Sequence, residues 1–285
     1  MTKTLIRFIF LALTFGSTQF ASAQVGNVTG DLGVPCSTVT GQMIGATDAC
    51  TATPTTYRVR IFEMGLCTTH PFTAAKTGTT FNRDSCVTTY VDAAPATVDI
   101  AALIGGTPQP LAGTSNPPAE GTYPHAFLVM DDTFITSASF TDGAGTVHVS
   151  LTNGNAGDGI GNIQERTDNL VQFGTGGGGG AACDSGFLAA QVTGGTIDGF
   201  ITNDSLVRSQ RTNGATAGAC DNAGRLIGVM NLAAPVVVTS ETIQVLFNFD
   251  LTNQGSQFFD TGGVNNDPDE YGSGPFSGSF TIISN

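Results

Sequence analysis

From residue 242 the chain reads TIQVLFNFDL. Ile243, Val245, Phe247, Phe249 and Leu251 fall on one side, Thr242, Gln244, Asn248 and Asp250 on the other, and Leu246 breaks the rule. A period of two with β-branched and aromatic residues predicts a half-buried strand. TVHVSL (146–151) repeats it with Val147, Val149 and Leu151 inward and His148 outward, and SGPFSGSFTII (273–283) with Phe276, Phe280 and Ile282 inward. YRVRIFEM (57–64) starts with Tyr57, Val59 and Ile61 on one face, then moves its apolar side to Phe62, Met64 and Leu66. That change of face predicts a bulge or two apolar surroundings. TFITSASFTDGAGTVHVSL (133–151) predicts two strands joined at the turn DGAG.

Gly, Asn, Thr, Asp and Pro clusters separate these runs, and long helical patterns are absent. Only NIQERTDNLVQF (162–173) has a spacing compatible with a short helix, and a strand fits it equally. Short strands between turn-rich loops predict an all-β fold, specifically a β-sandwich with long Gly/Asn/Thr-rich loops. Residues 24–285 are expected to form a single elaborated domain, with the Pro/Gly-rich stretch 105–121 as a long crossing loop or sub-boundary.

Within that fold, TVDIAALIGGTPQPLA (97–112) followed by PPAEGTYPHAFLVMDD (117–132) resembles a pattern of prealbumin-like modules of exported bacterial proteins. There an Asp-led strand meets a loop, and Pro-x-x-Gly-x-Tyr opens the next long strand; Pro118, Gly121 and Tyr123 hold the matching places. The resemblance spans about 35 residues. It implies a sandwich of Ig-like, prealbumin-like or jelly-roll kind and carries over no catalytic residues.

The N-terminus changes the compartment. Lys3 and Arg7, the apolar run FIFLALTF (8–15) and ASA (21–23) form a signal-peptide pattern over residues 1–23, too short in its apolar part to span a bilayer. The mature protein is therefore expected to be secreted, extracellular or on the cell surface, with the periplasm an alternative, and to have no transmembrane segment. Removing Lys3 and Arg7 takes the net charge from −13 to −15 and leaves Lys76 the only lysine. Such a charge disfavours nucleic acid and anionic membrane as partners. Cys36, Cys50, Cys67, Cys86, Cys183 and Cys220 form an even set in an exported chain, which predicts disulfides. Sequential pairing is preferred: Cys36–Cys50, Cys67–Cys86 and Cys183–Cys220, the last joining the similar contexts AACDSG and GACDNAG. A zinc site is disfavoured, because no Cys-x-x-Cys occurs and there are three histidines.

Two acidic loops carry the candidate metal chemistry. NGNAGDGIGNIQE (153–165) offers Asn153, Asn155, Asp158 and Glu165, and DTGGVNNDPDEYG (260–272) offers Asn265, Asp267, Asp269 and Glu270. Calcium takes several oxygens from flexible loops, so calcium is the expected cofactor, although the spacing is not that of an EF-hand and solvated turns have the same composition.

Enzyme signals are sparse. Asp184-Ser185-Gly186 resembles part of the Gly-Asp-Ser-Gly-Gly-Pro element of chymotrypsin-like proteases. However, Cys183 stands where that family has glycine, Phe187 and Leu188 replace Gly-Pro, and THPFTAAK (69–76) lacks the Ala-Ala-His-Cys element. Ser185 is therefore read as a turn residue, and His70, His125 and His148 as structural or surface histidines. No His-Glu-x-x-His or Gly-x-Ser-x-Gly occurs, and GTGGGGGAA (174–182) lacks the Lys-Ser/Thr of a phosphate loop and reads as a linker. Paired carboxylates for glycoside hydrolysis need only spatial proximity and stay open; the absence of tryptophan weighs against a sugar platform. The favoured reading is a non-catalytic, exported structural or surface-assembly protein that self-associates or meets other surface proteins and glycans. The alternatives are an extracellular glycan- or protein-binding module and a secreted hydrolase.

Overall fold

A computed structural model describes residues 32–38, 49–104, 111–171, 173, 185–192, 194–209, 220–260 and 267–284. The expected signal segment 1–23, the linker 174–182, Cys183 and Asn265 lie outside these. The described chain forms strands β1 (Leu32–Pro35), β2 (Ala49–Ala52), β3 (Pro54–Cys67), β4 (Cys86–Val91), β5 (Thr97–Asp99) and β6 (Thr114–Ser115). It continues through β7 (Gly121–Asp131), β8 (Thr133–Thr141), β9 (Val147–Ser150), β10 (Ala156–Asp158), β11 (Arg166–Asn169) and β12 (Gly186–Val192). The last six are β13 (Gly195–Thr202), β14 (Arg225–Val238), β15 (Thr242–Asp250), β16 (Ser256–Phe259), β17 (Glu270–Ser273) and β18 (Ser277–Ser284). Helix is confined to three short 3-10 turns among the described residues, none of which could cross a membrane.

Twelve strands form one sheet along the path β10-β9-β8-β3-β7-β14-β13-β12, with β11 on β8, β4 and β5 on β3, and β6 on β4. Its strands come from both sides of the Pro/Gly-rich stretch, of which residues 111–121 are described. A second sheet runs β1-β2-β16-β17, and β15 pairs with β18 as a separate ribbon. The β1–β2 pairing is parallel, and the other pairings within the sheets are antiparallel, the pattern of closely connected neighbours.

Alternation along the central strands assigns the two faces of the large sheet. Leu128 and Met130 of β7 and Met230, Val236 and Val238 of β14 point to one side, where Val245, Phe247, Phe249, Phe280 and Ile282 of the ribbon cover them. Phe127 and Val129 of β7, Ile227 and Val229 of β14 and Phe200 of β13 point to the other, under Phe72 and Phe81 from the segment that follows β3. The second sheet packs Phe258 and Tyr271 against Ala138 and Phe140 of β8.

The strands read from the period of two are present, and so is the bulge in β3, but it keeps Ile61, Met64 and Leu66 on the side of Met130, Leu128 and Ala126 and turns Phe62 to the other. Its pairing with β7 shifts between Ile61 and Glu63, and its pairing with β4 shifts between Met64 and Gly65. The β8–β9 hairpin turns at residues 142–145, with Ser139 opposite Val149. NIQERTDNLVQF resolves as a 3-10 turn at Ile160–Asn162 followed by strand β11. Two readings are corrected. Ile243 is exposed rather than inward, because the β15–β18 register shifts between Thr242 and Gln244. His148 is 2% exposed rather than on an outward face, because β9 lies between β8 and β10 and the Phe140 ring packs on the imidazole at 4.9 Å.

Disulfides join Cys36 to Cys50 and Cys67 to Cys86, as expected. Cys220 is also disulfide-bonded, while its expected partner Cys183 lies outside the described residues.

Candidate functional site

Where the phenylalanine-lined face of the large sheet ends, its inward row turns polar. His125 of β7 lies opposite Asn231 of β14, which lies opposite Thr196 of β13. Asp198, two residues on from Thr196, is on the same face as Phe200 by the alternation of the strand. Over this row lies the segment 68–85, whose ends are tied by the Cys67–Cys86 disulfide. Backbone bonds hold its fold: Gly78 N–H to Phe72 O, Asn82 N–H to Pro71 O, and Phe81 N–H to Leu206 O. It thereby sets His70 and Lys76 onto Asp198.

Asp198 is fully buried and accepts from four groups. His70 Nε2 donates to Oδ2 at 3.2 Å, Asn231 Nδ2 to Oδ2 at 2.6 Å, and Ala189 N–H to Oδ1 at 2.7 Å. Lys76 Nζ reaches both oxygens, at 3.0 Å from Oδ1 and 2.8 Å from Oδ2. Burial alone would raise this carboxyl, but the hydrogen bonds from His70, Lys76, Asn231 and Ala189 outweigh it and hold the group well below the usual carboxylate range. Two of the donors sit on left-handed backbone, Lys76 at φ 57° and Ala189 at φ 62°. Non-glycine residues are held there only when the surroundings fix them. At Ala189 the cause is a register shift between Phe187 and Ala190 in the β12–β13 pairing.

The network also sets the imidazole tautomers. Phe72 N–H donates to His70 Nδ1 at 3.1 Å, so Nε2 bears the proton given to Asp198. Asn231 spends its NH2 on Asp198 and on Thr196 Oγ1 at 3.1 Å, so its Oδ1 accepts from His125 Nδ1 at 3.0 Å. Burial first, and then the charge of Lys76 and the neighbouring His70, lower His125, opposed by its bond to Asn231. The result is a buried carboxylate touching an amine, a carboxamide and an imidazole N–H, with a second imidazole N–H on the carboxamide oxygen.

The two acidic loops meet, but through their backbones. Asn155 bridges Glu270, Ala156 N–H donates to Asp269 O at 3.0 Å, and Tyr271 N–H donates to Gly154 O at 2.7 Å. The side chains turn to different partners: Asn153 Oδ1 accepts from Asn155 N–H at 3.1 Å, Asp158 binds His148 Nδ1 at 3.0 Å, and Glu165 pairs with Arg58. Asp267 precedes the bridged stretch, and Asn265 is outside the described residues. No group of three His, Cys, Asp or Glu side chains is placed to hold a metal among the described residues. Ser185 is buried just before β12, and its carbonyl accepts from Ile201 N–H at 2.9 Å. None of the described hydrogen bonds of His70, His125 or His148 goes to it.

The structure adds a carboxylate pair, Asp131 and Asp132, at the end of β7, both buried. Arg60 pairs with Asp131, and Thr133 Oγ1 donates to Asp132 at 3.3 Å. Burial, and then the adjoining Asp131, push Asp132 up to about 6. A carboxyl raised on folding contributes stability that is present below about pH 4 and gone once the pH has risen through about 6. Asp132→Asn, which cannot ionise, is expected to be about 1–2 kcal/mol more stable than wild type at about pH 8 and nearly equal to it at about pH 4. Urea melts at the two pH values check this, and no gain at the higher pH would remove the cost assigned to the ionised pair.

Sequence reasoning passed over Asp198 and the Asp131–Asp132 pair. The signal for Asp198 was available: in TIDGF it occupies the inward row of a strand pattern, where an unpaired acid is costly. Lys76 stands out in the sequence only as the single lysine after residue 23. No protein-family model, no curated protein and no solved structure matches the chain.

Proposed function

We propose that the protein is an exported, disulfide-braced β-scaffold that works by contact with copies of itself or with other surface molecules rather than by turnover. The observation that carries this reading is that the buried groups Asp198, Glu63 and His148, though not the Asp131–Asp132 pair, are spent on fixed partners within the fold. Asp198 takes four donors; Glu63 takes a two-pronged bond from Arg83 at 3.1 and 2.6 Å and a third bond from Thr88 at 2.8 Å. The half-buried Asp168 is spent likewise: it binds Arg166 at 3.2 Å and both Ser273 N–H and Oγ at 2.9 and 2.8 Å. His148 lies between Asp158 and Asp142, the latter at 3.4 Å. Saturated networks of this kind rigidify a fold and leave few groups poised for a substrate.

In this reading the ribbon and the large sheet are the two layers of a sandwich, and the acidic loops 153–165 and 260–272 bind calcium at the surface. Bound cation would offset the −15 charge that otherwise opposes self-association. The test is sedimentation velocity of residues 24–285 over a range of concentrations, made in an oxidising compartment, with millimolar calcium or a chelator. Larger species are expected with calcium. Equal assembly in the chelator would remove calcium from the proposal, and a sharp monomer in every sample would overturn assembly in favour of a monomeric binding module.

A further inference from the structure

Nine of the described strands pair with a single neighbour, so each has one margin at the edge of its sheet. An open strand edge is a template for another chain, and proteins guard such edges with short length, charge, proline or a bulge. Six of the nine, β1, β5, β6, β10, β11 and β17, are two to four residues long. β12 is longer, but its register shifts between Phe187 and Ala190, where Ala189 is left-handed. β15 has a shift between Thr242 and Gln244 and ends on Asp250. β18 has none of these guards. It runs eight residues, Ser277–Ser284, with no charge and no proline, and the extra residue of its pairing with β15 lies in β15.

Two further observations point to what meets this edge. The chain carries −15 after residue 23, yet residues 271–285 contain no charged side chain, so a second copy approaches here with least repulsion. The ribbon is also only two strands wide over a twelve-stranded sheet. Phe280 and Ile282 face that sheet and stay only partly buried at the margin of the cluster that holds Tyr123, Val236 and Val245. Strands added beside β18 would take their remaining apolar surface out of water.

We propose that β18 pairs antiparallel with β18 of a second copy about a two-fold axis at Thr281, joining the two ribbons into one four-stranded layer. This rests on the self-association proposed above and names the contact that makes it. A two-fold axis perpendicular to the layer keeps the covered faces of both ribbons on the same side, and directly opposite residues then share a face. With Thr281 opposite Thr281 of the second copy, Phe280 lies opposite Ile282 of the second copy on the covered face. Aromatic and β-branched residues so placed are a stabilising cross-strand pair. On the outer face Ser279, which is exposed, lies opposite Ile283 of the second copy. The backbone groups along the edge gain partners, as in other strand additions. The contact is the same patch on both copies and closes on itself, so it makes a dimer rather than a fibre. Calcium on the acidic loops strengthens it by lowering the net charge.

The test is sedimentation velocity of residues 24–285 over a range of concentrations in millimolar calcium, for wild type, Ser279→Glu, Ile283→Glu and Gln191→Glu. Ser279 is exposed, so a charge there leaves the monomer undisturbed, and Gln191, exposed on β12, makes the same charge change on a guarded edge. Wild type is expected to dimerise, Ser279→Glu and Ile283→Glu to weaken the dimer by about tenfold or more, and Gln191→Glu to leave it unchanged. A second readout is the mildly oxidised protein on non-reducing gels. Thr281→Cys is expected to give a disulfide-linked dimer, because directly opposite Cα atoms lie about 4.5–5.5 Å apart, within reach of a disulfide. Ser279→Cys is expected to stay unlinked, since the offset from its own copy is about 13 Å along the strand. Association that survives both β18 acids would overturn the edge contact and leave self-association standing. A link through Ser279→Cys and not Thr281→Cys would overturn the two-fold at Thr281. A wild type that stays monomeric at every concentration would overturn both the contact and the self-association it rests on.

Discussion

Asp198→Ala is expected to cost about 3–5 kcal/mol of folding stability, the range for breaking a buried ion pair by removing one partner. The alanine leaves four donors facing a void: the Lys76 ammonium, His70 Nε2–H, the Asn231 NH2 and the Ala189 N–H. Each buried donor without an acceptor is unfavourable by about 1–3 kcal/mol, less what solvent entering beside Lys76 recovers. The pH dependence gives a second check. Folding depresses the Asp198 carboxyl, so its contribution is present above the ordinary unfolded value, near 4, and is lost as the pH falls below it. The difference between wild type and Asp198→Ala in urea melts should therefore be constant from about pH 5 upward and shrink below about pH 4. A difference under about 1 kcal/mol at neutral pH would mean that water replaces the acceptor at little cost, and the cluster would then not be a lock on the fold.

Why this cluster was not visible in the sequence follows from how it is made. The period of two recovered β15, β18, the bulge in β3 and the β8–β9 hairpin, because each of these is written in neighbouring residues. The Cys36–Cys50 and Cys67–Cys86 pairs were also readable, each closing a short segment. The Asp198 site needs strand order as well. His125 meets Asn231 only because β7 pairs with β14, and Asn231 meets Asp198 only because β14 pairs with β13. Lys76 arrives from a segment whose path is set by the disulfide and by backbone bonds to Leu206. Alternation also misplaced His148. It gives two faces to a strand but not what covers them, and Asp142, Asp158 and Phe140 cover the face that looked solvated. The acidic loops show the converse. Their composition marked residues that the fold does bring side by side, yet the backbone bonds between Gly154, Ala156, Asp269 and Tyr271 were not legible, nor was the diversion of Asp158 and Glu165 to His148 and Arg58.

Replacing Cys67 and Cys86 together by serine is expected to cost about 3 kcal/mol through the chain entropy of a loop of this length. The separation is 19 residues, against 14 for Cys36–Cys50, so loop closure alone predicts nearly equal costs for the two disulfides. Their surroundings differ. The Cys67–Cys86 loop carries His70 and Lys76 onto Asp198, whereas Cys36 and Cys50 pack with Ala52, Phe258 and Tyr271 in the second sheet. The two pairs should therefore behave differently in combination with Asp198→Ala. Without Cys67–Cys86 the segment is free to leave the sheet, part of the Asp198 network is already lost, and the added cost of the alanine should fall by about 1–2 kcal/mol. Without Cys36–Cys50 the two losses should add to within about 0.5 kcal/mol, as for independent sites. Double-mutant cycles by urea denaturation of the oxidised proteins separate these outcomes. Additivity at both disulfides would mean that segment 68–85 holds its place by Phe72 and Phe81 alone, and the polar contacts to Asp198 would then follow the docking of that segment rather than cause it.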